Sequence, residues 1–164
     1  MIIVVMGLPG SGKTWLASRL AAETGALYIS SDRLRKKLGL CGNYSDAGRE
    51  AVYREMMRCM EEGMMLHRDM VLDASFHRKA ARREFQEAVG SREKTFFIEV
   101  RADEALVRER LKKPRADSEA DFEVYRKIRT GWESPEFPHL VLVSTDDNID
   151  ELLAKAADYL PLKR

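Results

Sequence analysis

The stretch Met1-Ile2-Ile3-Val4-Val5-Met6-Gly7-Leu8-Pro9-Gly10-Ser11-Gly12-Lys13-Thr14 carries an apolar, β-branched segment straight into Gly-x-x-x-x-Gly-Lys-Thr. A strand, this spacing and then a helix together make a phosphate-binding loop, or P-loop. Glycines let the backbone fold so that successive N–H groups point at phosphate oxygens. The helix that follows presents its positive end to the same anion. Gly7, Pro9, Gly10, Ser11, Gly12, Lys13 and Thr14 are therefore the expected nucleotide contacts. Lys13 should reach the β- and γ-phosphates of ATP, and the Thr14 hydroxyl should ligate Mg²⁺.

Outward from the loop, residues 15–23 contain no Gly or Pro and set Leu16, Leu20 and Ala21 on one face, so a helix is expected over 13–23. Gly25 closes it, 26–29 is a short second strand, and a helix over about 31–38 is capped by Ser30 or Ser31. A loop rich in Gly and Asn spans 39–48, then a long helix 47–67. Strands follow at 70–73, 95–100 and 140–143, and helices at about 78–89, 103–112, 120–130 and 149–159, the last capped by Asp147 or Asn148. Strands alternating with amphipathic helices indicate an α/β fold around a parallel sheet. On the long helix, Val52, Met56, Met60 and Met64 share i, i+4 spacing and are expected in the core, while Met57 and Met65 are left for a substrate wall or a dimer face.

At 164 residues, 45% of them hydrophobic, the chain suits one domain over 1–164 with a core that needs no staples. A net charge of +1 gives no global drive toward nucleic acid or membrane. No apolar run approaches the ~18 residues that span a bilayer, and the six-residue apolar start lacks a basic flank and is used by the first strand. Two distant cysteines, Cys41 in a loop and Cys59 as a buried helix thiol, fit a reducing compartment. A cytoplasmic enzyme, monomer or weak dimer, is the expectation.

Three further features speak to what happens to a bound triphosphate. Asp32 follows the second strand, on the sheet edge where open α/β folds bind ligands; it could orient an acceptor hydroxyl and take its proton. Arg35, one helical turn on, could hold an anionic part of that acceptor. Asp73 ends the third strand near Mg²⁺ or the acceptor, but Ala74 follows it where a hydrolytic motor carries a second acid. Third, the basic segment Arg108, Arg110, Lys112, Lys113 and Arg115 could close over the triphosphate as a lid, about 112–122. The run Arg78-Lys79-Ala80-Ala81-Arg82-Arg83 reads as a solvated helix face and His77 as a surface histidine. No Asn-Lys-x-Asp stretch points to a switch GTPase, and no Gly-x-Ser-x-Gly elbow to a hydrolase.

With Gly7–Thr14, Ser31-Asp32-Arg33-Leu34-Arg35-Lys36, Val71–Phe76, Arg101-Ala102-Asp103 leading to Arg108-Glu109-Arg110, and 116–121, the chain resembles small P-loop kinases. These include 5′-hydroxyl polynucleotide kinases, zeta-toxin kinases and gluconate kinases, and the likeness is greatest to uncharacterised predicted kinases. The resemblance implies a three-layer αβα fold with a five-stranded parallel sheet of order 2-3-1-4-5 and a small lid. It also implies Asp32 as the acceptor-activating carboxylate, Arg35 near the acceptor, and a lid arginine at Arg110 or Arg115. Polynucleotide kinases often carry Arg where this chain has Ser31. With no strongly basic groove or aromatic platform, a nucleic-acid acceptor is not favoured. The expected activity is transfer of the γ-phosphate of ATP, with Mg²⁺, to a hydroxyl of a small molecule. The alternatives are a polynucleotide 5′-hydroxyl kinase and a nucleotide-binding regulatory module without an acceptor.

Overall fold

The computed structural model describes residues 1–115 and 118–161. Its strands are β1 (Ile2–Met6), β2 (Leu27–Ser30), β3 (Met70–Asp73), β4 (Thr95–Arg101) and β5 (Leu140–Val143). Its helices are α1 (Lys13–Thr24), α2 (Ser31–Lys37), α3 (Asp46–Met65), α4 (Lys79–Val89), α5 (Glu104–Lys112), α6 (Phe122–Thr130) and α7 (Ile149–Tyr159). The strands pair in parallel in the order β2-β3-β1-β4-β5, as the family likeness implied. Two residues of the expected lid, Ala116 and Asp117, lie outside the described residues.

Every residue of the central strand β1 is buried, because helices cover both faces of a parallel sheet. Its alternation divides the core in two. Ile2, Val4 and Met6 pack with Val52, Met56, Met60 and Met64 of α3 and Phe85 of α4. Ile3 and Val5 pack with Leu16, Ala17 and Leu20 of α1 and with Leu152, Leu153 and Ala156 of α7. The methionine stripe is thus core, each such side chain contributing about 1.5–3 kcal/mol on burial. Gly63 lets α3 close on β3, since a Cβ there would come within 2.2 Å of Met70 Sδ. Met57 is partly buried against this core, Met65 is exposed, and Cys59 is only half-buried rather than buried.

Element ends moved where caps decide them. The N–H of Ala26 turns back to the Ala21 carbonyl (3.1 Å), so β2 starts one residue later than expected. Ser30 ends β2 opposite Asp73 and, rather than Ser31, caps α2 by accepting from Arg33 N. Asp121 caps α6 by accepting from Val124 N (2.9 Å), which delays that helix to Phe122. Asn148 precedes α7 but accepts from Thr145 N (2.8 Å) instead of capping the helix. Among the described residues no helix is long and apolar enough to cross a membrane.

Candidate active site

Parallel pairing brings the C-terminal ends of β1, β2 and β3 to one edge, because Val5 and Ser30 both lie opposite Asp73. The turns after these strands therefore meet: the loop 7–12, the start of α2, and residues 74–77. Gly7 must be glycine, since a Cβ would stand 2.4 Å from the Val100 carbonyl oxygen. Gly12 turns the chain into α1 with φ 94°, a conformation that an L side chain strains.

Asp73 is 2% exposed. Its Oδ2 accepts from the Tyr28 hydroxyl at 2.6 Å, while Oδ1 is buried with no hydrogen-bond partner. Burial raises its pKa, opposed by the Lys13 ammonium and by the Tyr28 and Thr14 hydroxyls, with Asp32 adding to the rise. An orphaned carboxylate oxygen within reach of the Thr14 hydroxyl fits a hard divalent cation. Among the described residues no group of three or more His, Cys, Asp or Glu could hold a metal by itself. One or two protein ligands plus phosphate oxygens is the usual manner of Mg²⁺ with nucleotides.

Lys13 and Asp32 face the same cavity. Arg35 of α2 and Tyr44, Arg49, Tyr53, Ser75, Arg115 and Ser118 also line it. The Tyr44 hydroxyl lies 3.5 Å from Ser118 Oγ, so the 39–45 loop meets the segment after α5 across the cavity. Arg115 donates to the Ala120 carbonyl. Of the three arginines left open by the sequence, Arg115 alone lines this cavity.

Arg110 lies elsewhere. It donates to the Gly10 carbonyl (3.1 Å), Ser144 Oγ (2.9 Å) and the Thr145 carbonyl (2.7 Å), with Asp146 at 3.8 Å. Ser144 in turn donates to the Ser11 carbonyl at 2.5 Å. Arg110 thus staples the phosphate loop to the turn after β5. Arg108 pairs with Glu104 and covers the Phe122 ring at 4.0 Å.

A family model described as "AAA domain" matches residues 2–135. The chain belongs to the AAA domain family. Among curated proteins none matches. The fold of this AAA domain is that of small P-loop kinases. It is similar to a sugar kinase from Janibacter sp. HTCC2649, with TM-score 0.75, 19% identity, and 96% of this chain and 92% of that one covered. It is also similar to the Mycobacterium tuberculosis APS kinase CysC solved with AMPPNP and APS, with TM-score 0.67, 22% identity, and 96% and 95% covered. A third similar structure is Chaetomium thermophilum Kti12 with ADP-AlF3, with TM-score 0.69, 24% identity, and 96% and 98% covered.

Several polar residues in or beside the candidate site were missed or misread from the sequence. Arg49 lies one turn before Val52 on the buried face of α3, and Arg82 holds the same place relative to Phe85 on α4. An arginine on an apolar stripe was the available signal. Arg82 is buried rather than solvated and donates to the Phe76 carbonyl (2.6 Å) and the Glu133 carbonyl (2.6 Å). The Tyr53 hydroxyl accepts from Phe76 N at 2.9 Å. Both backbone groups of Phe76 are thereby held at φ 46°, a conformation that is strained for a bulky residue. That fixes the turn between Asp73 and α4.

His77 is a correction as well: it is 3% exposed, not on the surface, with Nδ1 3.4 Å from Ser75 Oγ. Burial, then the Arg49 and Arg78 guanidiniums, push its pKa down to about 4. Between that value and the ordinary ~6.5 the unfolded chain binds a proton that the folded chain refuses. This contribution to stability is complete above pH ~6.5 and is lost as pH falls toward 4. Solvent screening of the outlying charges trims it to about 2 kcal/mol. His77→Gln is expected to flatten the Tm–pH curve in this window, and an unchanged slope would assign the titration to another group.

Proposed function

We propose that this AAA domain is an ATP-dependent phosphotransferase that moves the γ-phosphate to a hydroxyl of a small molecule. The observation that carries the reading is Lys13, Asp32 and Arg115 in the walls of one cavity. The P-loop amides and Lys13 hold the phosphates of ATP. Asp32 orients the acceptor hydroxyl and takes its proton as the oxygen attacks the γ-phosphorus. The bond from that phosphorus to the β–γ bridging oxygen breaks, and ADP leaves. Arg115 supplies positive charge to the transferring group, and Arg110 steadies the loop from behind. Thr14 and Asp73 would hold Mg²⁺, which supplies charge against the phosphate oxygens when bound. Phosphoryl transfer has a loose transition state, so positioning and charge do most of the work.

A phosphate-transfer screen with labelled ATP over sugars, sugar acids, nucleosides, aminoglycosides and 5′-hydroxyl oligonucleotides tests this reading, with Asp32→Asn as control. Transfer to a small molecule that the variant loses is the expected result. Transfer to the oligonucleotide alone would make the protein a polynucleotide kinase. If every acceptor fails while Mg·ATP still raises Tm, a nucleotide-binding module without an acceptor replaces the proposal. Asp73→Asn keeps the partner of Tyr28 but removes the charge. Its affinity for ATP is expected to fall by about 10- to 100-fold with Mg²⁺ present and to change little without it. Equal loss under both conditions would remove Asp73 from the metal site.

A further inference from the structure

Glu50, Arg54, Met57, Glu61 and Met65 recur on α3 at intervals of four, three, four and four residues. That spacing sets them in one stripe along about 22 Å of helix. The opposite face of α3, with Val52, Met56 and Met60, is the one buried against the rest of the fold. Glu50, Arg54, Glu61 and Met65 are exposed, and Met57 is partly buried. Met65 is 79% exposed, and Leu38 at the end of α2 is 41% exposed. A surface groove is lined by Leu38, Leu40, Ala51 and Met57 together with Arg54 and Glu61. Scattered apolar side chains on a surface need no explanation, but a run of them along a charged stripe marks a contact surface.

The charges of the stripe say what that surface fits. Arg58, at its margin, is already held by Glu55 (2.7 Å) and by Glu62. Arg54 reaches only Glu50 (3.0 Å), with the two side chains 75% and 73% exposed, a pair worth little in water. Glu61 forms no ion pair among the described residues. The stripe therefore offers one weakly held cation and one unpaired carboxylate, two helical turns apart. Such a pattern is its own complement under a two-fold axis, where residue i meets j and j meets i.

The register follows from the same residues. With two α3 helices antiparallel and the axis between residues 57 and 58, Arg54 faces Glu61 of the second copy, and Glu61 faces its Arg54. Met57 then lies beside the axis. Met65 of the second copy arrives at Glu50 and Ala51, the latter in the groove with Leu38 and Leu40. Sliding the pair one turn in one direction sets Glu50 against Glu61. One turn in the other sets Met65 against Arg54 and Met57 against Glu62. A single register thus serves both the charged and the apolar positions.

We propose that the outward stripe of α3 is a homodimer interface, on which a second copy of this chain packs antiparallel with Arg54 and Glu61 paired twice across the axis. Self-complementary charge selects another copy over a foreign helix. The interface stands apart from the kinase reading, although it borders the cavity. Leu40 belongs to the loop that carries Tyr44 to the cavity wall, so the partner copy packs against that loop from outside. One helix pair with flanking leucines is a small interface, so the dimer is weak, with a Kd on the order of 10–100 μM.

Sedimentation equilibrium of the whole chain from about 5 to 500 μM tests the proposal across that range. The wild type should pass from monomer to dimer. Arg54→Glu and Glu61→Arg should each raise Kd by at least about 10-fold, because each sets like charges opposite one another twice. An equimolar mixture of the two variants should form a heterodimer again, since every pair across the axis is then of opposite sign. Should either variant fail to fold, Met65→Asp probes the same register, placing a carboxylate against Glu50 and weakening the dimer. A wild type that stays monomeric throughout overturns the pairing and leaves the stripe to a different protein. A dimer that the variants retain puts the interface elsewhere on the molecule and overturns it equally. Two monomeric variants that do not combine on mixing refute the two-fold pairing of Arg54 with Glu61.

Discussion

Lys13→Met is expected to lower phosphate transfer by about 100- to 1,000-fold, the cost of removing one preorganised charge from a developing anion. The side chain is buried at the junction of the phosphate loop and α1, where water cannot substitute for its ammonium. The loss should reach beyond the phosphate it touches. The Lys13 charge is the strongest influence holding down the raised pKa of Asp73. Without it, the buried carboxylate of Asp73 keeps its proton to higher pH and becomes a poorer metal ligand. Nucleotide binding by Lys13→Met should therefore be weak and nearly independent of Mg²⁺, and should recover some Mg²⁺ dependence as pH rises. Titrations of AMPPNP with and without Mg²⁺ across pH check both points. Full Mg²⁺ dependence at neutral pH would separate Lys13 from Asp73.

Asp32→Asn should act on a different step. Asparagine keeps the size and hydrogen-bonding capacity of the half-buried side chain but cannot take a proton, so kcat should fall by about 100- to 10,000-fold. The KM for ATP should hold, because in the proposed reaction the loop and Lys13, not Asp32, hold the triphosphate. A variant that loses kcat and kcat/KM equally has lost an interaction made only in the transition state. If the loss appears mainly in the acceptor KM, Asp32 binds the acceptor rather than activating it. If kcat is untouched, the proton leaves by another route and the assignment would be withdrawn.

How far the site could be read in advance depended on how local each signal was. Gly7–Thr14 is a contiguous pattern whose geometry is set by its own backbone, so its position needed no partner. Asp73 ends its strand and Asp32 follows the end of another by two residues, and parallel strands end on the same edge, so both could be placed there from the sequence. Arg110 and Arg115 show the opposite case: both lie in one basic segment, yet one donates to carbonyls behind the phosphate loop and the other faces the cavity. No spacing rule separates them, because the distinction lies in where α5 ends relative to the turn after β5. Arg49, Arg82 and His77 were misread or passed over for a related reason. Composition assigns charged residues to solvent, and only the packing of α3 and α4 against the turn after β3 shows them enclosed.

The sequence by itself determined the elements of the proposed donor side: a β-branched strand, a glycine-rich turn, and Lys13 and Thr14 at the start of a helix. It also determined the sheet, since strands buried on both faces and joined by helices have few ways to pair. The wall of the proposed acceptor side was decided only by tertiary structure. Arg35, Arg49, Tyr44 and Tyr53 come from a short helix, a loop and a long helix, and they meet because α2 and the start of α3 converge beside the ends of β2 and β3. Burial encloses these ordinary polar side chains in one wall, and burial is a property of the packed molecule.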